Sequence, residues 1–191
     1  MHKGRLEAFS DGVFAIIITI MVLELKIPHG AELDALKPLA PVLLSYVLSF
    51  FYVGIYWNNH HHLFQAVEHV KGGVLWANLH LLFWLSLFPF VTGWMGENHF
   101  APTTVALYGG VLIMAAIAYY FLVQTLLGCH RRDSTLARSI GSDAKGRVSV
   151  VIYGLGIPLA CWQPWIAITL YLGAAIVWLA PDRRIEKNLI D

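Results

Sequence analysis

Apolar residues gather into long runs separated by short polar segments, and the lengths of those runs dictate the first reading. The first runs from about Leu6 to Leu25 and is ended by Pro28 and His29-Gly30. After the polar connection "AELDALKPLAP", a second runs from about Leu39 to Asn59, and "HHHLFQAVEHVKGG" follows as an amphipathic, interfacial stretch. The third covers about Val74 to Gly96 and the fourth about Thr103 to Leu127. "GCHRRDSTLARSIGSDAKGR" is the long polar loop. Two short runs, "VSVVIYGLGIPLACW" and "WIAITLYLGAAIVWLA", are joined by Gln163-Pro164, and "PDRRIEKNLID" is a solvated tail. A helix needs about 20 apolar residues to cross a hydrocarbon core of about 30 Å. The pattern therefore predicts an all-α integral membrane protein with six transmembrane helices and no separate soluble domain, the whole of 1–191 forming one unit.

Composition supports this reading. Only 13% of residues are charged and 58% are hydrophobic, against about 25% charged in soluble domains. The positions of the charges then fix orientation. With the N-terminus inside, the inner segments hold Lys3, Arg5, Lys71, Arg131, Arg132, Arg138, Lys145, Arg147, Arg183, Arg184 and Lys187, and the outer ones only Lys26 and Lys37. That asymmetry predicts both termini on the cytoplasmic side. Trp57, Trp76, Trp94, Trp162 and Trp165 fall near span ends, as an aromatic belt requires. The basic start and apolar run resemble a signal peptide, but Glu24, Lys26 and Pro28 follow with no small-residue cleavage site, so a retained first helix is expected. Cys129 and Cys161 make no C-x-x-C pair.

The first run carries polar groups at its inner end. Projected at about 3.6 residues per turn, one stripe holds Arg5, Phe9, Gly12 with Val13, Ile16, Thr19 with Ile20, Leu23 and Ile27. Ser10 and Asp11 lie off it. An ionised Asp facing lipid costs at least about 2.5 kcal/mol at mid-membrane, so Asp11 is expected to pack against polar groups: His60, His61 or His62, Asn78, His80, or Arg5 of this or another subunit. Beyond Arg5 the stripe is apolar except for Thr19, and periodicity alone does not distinguish contact with lipid, protein or a water column. Glu24 lies just off the stripe near its outer end, placed either to concentrate cations there or simply to sit solvated at the interface.

Other chemistry is sparse. Nine histidines raise a haem or metal reading, the alternative from a different class, but no pair has the register of axial ligands. A hydrogen-bonded network of His60, His61, Asn78 and His80, tying the second and third helices to Arg5 or Asp11, is the preferred reading, and it could respond to pH. There is no H-E-x-x-H, phosphate loop or G-x-S-x-G, so no enzyme is expected. The cluster from Arg131 to Arg147 is a cytoplasmic loop rather than a nucleic-acid site. Pro89 and Pro158 are expected to kink their helices, and Gly109-Gly110, Gly154 and Gly156 to allow close helix contact.

The string R-x-x-x-F-S-D at Arg5, Phe9, Ser10 and Asp11, followed by "GVFAIIITIMVLEL", resembles the signature of the transmembrane protein 175 family, potassium-permeable channels of bacteria, archaea and animal endosomes and lysosomes. "YWNNHHHLF" and "NLHLLFWLSLFPFVTGWMGE" resemble that family's second and third helices; the likeness runs to about Gly96 and is weaker after. It implies a homotetramer in which the first helix, about residues 4–27, lines a central pore. It also implies an apolar constriction at Ile16, further layers at Ile20 and Leu23, Thr19 beside them, and a packing role for the motif residues. An apolar ring offers no replacement ligands, so an ion passes with a thinned shell, which favours potassium modestly over sodium, and dewetting at the ring closes the path. "TTVALYGG" departs from a carbonyl filter and sits inside an apolar run. The expectation is a potassium-permeable channel of a prokaryotic plasma membrane, multi-pass, with no cofactor; a channel mainly conducting protons is the first alternative.

Overall fold

The computed structural model describes residues 3–67, 69–129 and 144–179. Arg131, Arg132, Arg138, Arg183, Arg184 and Lys187, which the sequence places in the polar loop and tail, lie outside them. The chain forms α1 (Gly4–Leu23), a 3-10 helix (Leu33–Leu39), α2 (Ala40–Gln65), α3 (Gly72–Ser86), α4 (Phe88–Glu97), α5 (Pro102–Cys129), α6 (Ala144–Trp162) and α7 (Pro164–Leu179). Proline opens several of them. Pro41, Pro89, Pro102 and Pro164 stand in first turns, where the missing N–H has no intrahelical partner to lose.

Four helical stretches among the described residues are long and apolar enough to cross a membrane: Gly4–Leu23, Leu33–Gln65, Gly72–Glu97 and Pro102–Cys129. Pro164–Leu179 is a shorter apolar helix of 16 residues, which rises about 24 Å. The protein is thus a multi-pass membrane protein. Two boundaries differ from the sequence reading. The second helix does not stop at Asn59 but runs to Gln65, so His60, His61 and His62 continue it. The third span is broken at Leu87 into α3 and α4. Pro89 cannot donate to the carbonyl of Leu85 and its ring crowds that carbonyl; Leu87 N instead turns to Trp84 O at 3.3 Å. Pro158 lies inside α6 without splitting it.

α1 packs on α2, α4 and α3, while α5 packs on α3 and α6, and α6 on α7. At the centre, Tyr52, Tyr108, Tyr153 and Tyr171 meet with ring centroids 6.1–6.4 Å apart. Tyr52 Oη donates to Tyr171 O at 2.6 Å, and Thr92 Oγ1 donates to Ser49 Oγ at 2.7 Å, which lies 3.0 Å from Tyr108 Oη. Inside a bilayer, helix association rests on such close packing and hydrogen bonds rather than on expulsion of water. Small residues permit it. A Cβ at Gly109 or Gly156 would overlap the Tyr171 ring, so these two glycines form the slot for that tyrosine; Gly110 faces open space and Gly154 touches only Ile113. The α4–α5 turn carries His99 and Phe100 at φ 49° and 59°, costly for non-glycine residues. Phe100 N closes it on Met95 O at 3.0 Å, and the Phe100 ring is buried against Trp165.

Gly96 holds α4 against α2. A Cβ there would lie 2.7 Å from Val42 Cα, a backbone contact that no rotamer change relieves. Gly96→Ala is expected to destabilise the protein by about 1–3 kcal/mol through overpacking. An unchanged thermal midpoint of the purified protein would show that α2 and α4 do not approach so closely.

Candidate functional site

The site is built on α1, whose two faces have opposite characters. One face is buried: Leu6, Ser10, Phe14, Ile17 and Met21, spaced by three or four residues as one helical stripe must be. The other face is open within the subunit. Ile16 is 57% exposed, Ile20 41% and Leu23 79%, and Phe9, Gly12 and Thr19 are exposed on it as well.

The buried face is pinned by a directional hydrogen-bond chain. Ser10 Oγ donates to Leu6 O at 2.8 Å, so its lone pairs are left to accept from Asn78 Nδ2 at 2.9 Å. Asn78 Oδ1 then faces His60 Nε2 at 2.8 Å. With the amide so oriented, His60 is the donor and carries its proton on Nε2. Ser10 and Asn78 are fully buried and His60 is 1% exposed. The imidazole lies against Phe14 and Phe64 at 5.6 and 4.5 Å. A buried polar group without a partner costs about 1–3 kcal/mol, and this chain leaves none of its three side chains unpaired while joining α1, α3 and α2.

Asp11 turns elsewhere. It is exposed, and its Oδ1 accepts from Trp57 Nε1 at 3.0 Å. None of the partners expected for it, the histidines, Asn78, His80 or this chain's Arg5, fills that role. One residue advances a helix by about 100°, so with Ser10 aimed at α3, Asp11 points past the core to the outer side of α2. Trp57 was legible in sequence only as a belt residue; it stacks on His61 at 5.8 Å, and Gln65 Nε2 lies 2.9 Å from His61 Nε2. His61 thus supports Asp11 through Trp57 and does not belong to the Ser10 chain. His80 joins neither group. Its Nε2 accepts from Trp84 Nε1 at 3.0 Å, one turn along its own helix, and its ring faces Phe121. Of the motif residues only Ser10 is buried in the subunit; Arg5 and Phe9 are exposed. Lys3, legible in sequence only as an orienting charge, donates to Phe64 O at 2.6 Å and Gln65 O at 3.1 Å, capping the carbonyl end of α2.

At the far end of α1, Glu24 is exposed and leans over Gly93 on α4, where a Cβ would stand 3.7 Å from its Oε2. Lys26 pairs with Glu97, whose hydrogen bond and charge hold the ammonium above the ordinary lysine range. Thr19 Oγ1 donates into its own helix, to Ala15 O and Ile16 O, both at 3.0 Å. Its proton is thereby turned inward and its oxygen lone pairs face outward from α1. Among the described residues no group of three His, Cys, Asp or Glu side chains is arranged to hold a metal ion.

Residues 5–89 match the family described as endosomal/lysosomal potassium channel TMEM175. A potassium channel of Chryseobacterium sp. strain P1-3 is 57% identical over 189 residues, covering 99% of this chain and 98% of that one. The chain belongs to the TMEM175 family. The backbone of this TMEM175 member is similar to the crystal structure of a lysosomal potassium-selective channel TMEM175 homolog from Chamaesiphon minutus, with TM-score 0.80 and 28% identity over 93% of this chain and 96% of that one. The endosomal/lysosomal proton channel TMEM175 of Gallus gallus is 39% identical over 79 residues, 35% of this chain and 16% of that protein. As a TMEM175 protein, the chain carries the R-x-x-x-F-S-D residues on α1 within the segment that the family match covers.

Proposed function

We propose that this chain is a potassium-permeable cation channel of the plasma membrane, formed by four copies that surround a pore lined by α1. The observation that carries this reading is the 57% identity over almost the whole length to a relative named as a potassium channel. The exposed stripe of α1 supports the location of the pore. Its back is tied down by Ser10, Asn78 and His60, while Ile16, Ile20 and Leu23 are left uncovered by the rest of the subunit. Residues 1–191 act as one channel domain with six crossings and both termini cytoplasmic, as the distribution of Lys and Arg favours.

In this reading Ile16 forms the narrowest ring and Ile20 and Leu23 form further apolar layers. Thr19 turns hydroxyl oxygens to the ion between them, and Glu24 raises the local cation concentration at the mouth. Ions strip part of their water at the ring, and potassium, which holds water less tightly than sodium, passes more readily. Arg5, Phe9, Ser10 and Asp11 hold the helix in place rather than touch the ion.

The proton alternative draws on the name of the Gallus gallus relative. One experiment separates the readings. Purified protein in planar bilayers is expected to reverse between zero and the potassium equilibrium potential under a potassium/sodium gradient and to stay there when pH is made asymmetric. A reversal potential that follows pH would assign the proton as the main ion, and absence of current would remove the channel reading.

A further inference from the structure

Past Ile16, Ile20 and Leu23, the outer end of α1 is edged by three exposed charges. Glu24 is the C-cap of the helix and Lys26 follows it, while Glu97 ends α4. Glu24 lies over Gly93, where a Cβ would stand 3.7 Å from its Oε2, and Lys26 pairs with Glu97. Positions 93 and 97 are one turn apart on the same face of α4, so the two carboxylates are neighbours along it. The ammonium feels both of them: Glu97 chiefly, and Glu24 to a lesser extent, hold its proton on.

What matters to an approaching ion is the sum. Each copy presents two carboxylates and one ammonium at this end, a single net negative charge. Nearby, Asp34 and Lys37 pair and cancel each other. Three residues of chain reach at most about 10 Å, so the backbone of Lys26 stands no farther than that from Leu23, the last apolar layer of the proposed pore. That is close to the Debye length of about 8 Å at physiological ionic strength, so charge at this position is felt at the entrance. Exposed ion pairs add little to stability, which leaves the charge itself as the main thing Lys26 supplies.

We propose that Lys26 limits the conductance of the channel without touching the ion: it halves the acidic charge at the outer mouth and so lowers the potassium concentration there. The role rests on the reading of α1 as the pore helix.

Two substitutions separate charge from mere attachment of α1 to α4. Lys26→Gln and Glu97→Gln break the same ion pair, so loss of the attachment would alter the current alike in both. Their charges differ: the first doubles the net negative charge of each copy, and the second abolishes it. In planar bilayers at about 0.01 M KCl, where the Debye length is about 30 Å, single-channel conductance of the full chain is expected to rise about twofold in Lys26→Gln and to fall about twofold in Glu97→Gln. Lys26→Arg should match the parent. In about 1 M KCl, where the Debye length is about 3 Å, the differences should vanish. Glu24→Gln leaves the pair intact and is expected to lower the conductance as Glu97→Gln does; if a pair variant fails to assemble, an unchanged conductance in Glu24→Gln overturns the role. Changes of the same sign in Lys26→Gln and Glu97→Gln, no change in either, or differences undiminished in about 1 M KCl would overturn it too while leaving the pore in place. A parent without current would remove the pore and this role with it.

Discussion

Ile16→Asn is expected to raise single-channel potassium conductance by about tenfold and to bring the potassium-to-sodium permeability ratio toward one. In the proposed tetramer four Ile16 side chains ring the pore, and the reason lies in what such branched alkyl groups do to water. They offer an ion no ligand, so the ring is crossed either by partly dehydrated ions or after the pore widens and wets. Asparagine is close in length but supplies amide oxygens that replace lost water for sodium as well as potassium. A barrier lowered by about 1.4 kcal/mol gives the tenfold change. Ile16 is 57% exposed in the subunit, so the substitution removes little packing within it and the tetramer yield should stay near that of the parent. Bilayer recordings of both proteins under the same gradients provide the comparison. If conductance and permeability ratio are both unchanged, Ile16 is not the constriction.

Asn78→Ala is expected to act by a different route, costing about 2–4 kcal/mol of stability while leaving the selectivity of the surviving channels intact. The truncation strands the His60 N–H and removes the group that holds Ser10, and each buried donor left without an acceptor costs about 1–3 kcal/mol. Hydrogen bonds between helices in membranes average only about 0.6 kcal/mol when both partners can find others. The larger figure is expected here because His60 is enclosed by Phe14 and Phe64, where water does not reach it. A thermal midpoint lower by roughly 5–15 °C is the readout. A cycle with His60→Phe sharpens it: with the histidine gone, Asn78→Ala should cost less, since the stranded donor is no longer present. Strict additivity of the two substitutions would show that the buried chain is not a coupled unit.

How much of this could be read from the chain alone differs from one feature to the next. The two faces of α1 follow from a repeat of 3.6 residues; Ser10 with Leu6, Phe14, Ile17 and Met21 on one side and Ile16, Ile20 and Leu23 on another need no other helix to be separated. Pro89 marks the place where the third apolar run breaks, because a missing N–H is a local fact. His60 and Asn78 could be nominated as network members, being polar residues beside or within apolar runs. Their pairing with Ser10, the exclusion of His80 and the choice of Trp57 by Asp11 could not, because each depends on how far one helix is rotated and shifted against the next. A rotation of about 100° exchanges one residue's surroundings for its neighbour's, and hydropathy is blind to it.

Run length, charge distribution and periodicity are properties of neighbours along the chain. They suffice to make this protein helical and membrane-embedded, and to say which stripe of its first helix is greasy. Other features arise only when helices meet: the stripe stays uncovered within the subunit, Asp11 faces Trp57, and Tyr171 sits in a slot made by Gly109 and Gly156. These join residues far apart in sequence, and their geometry is set by the close packing of several helices and not by any helix alone.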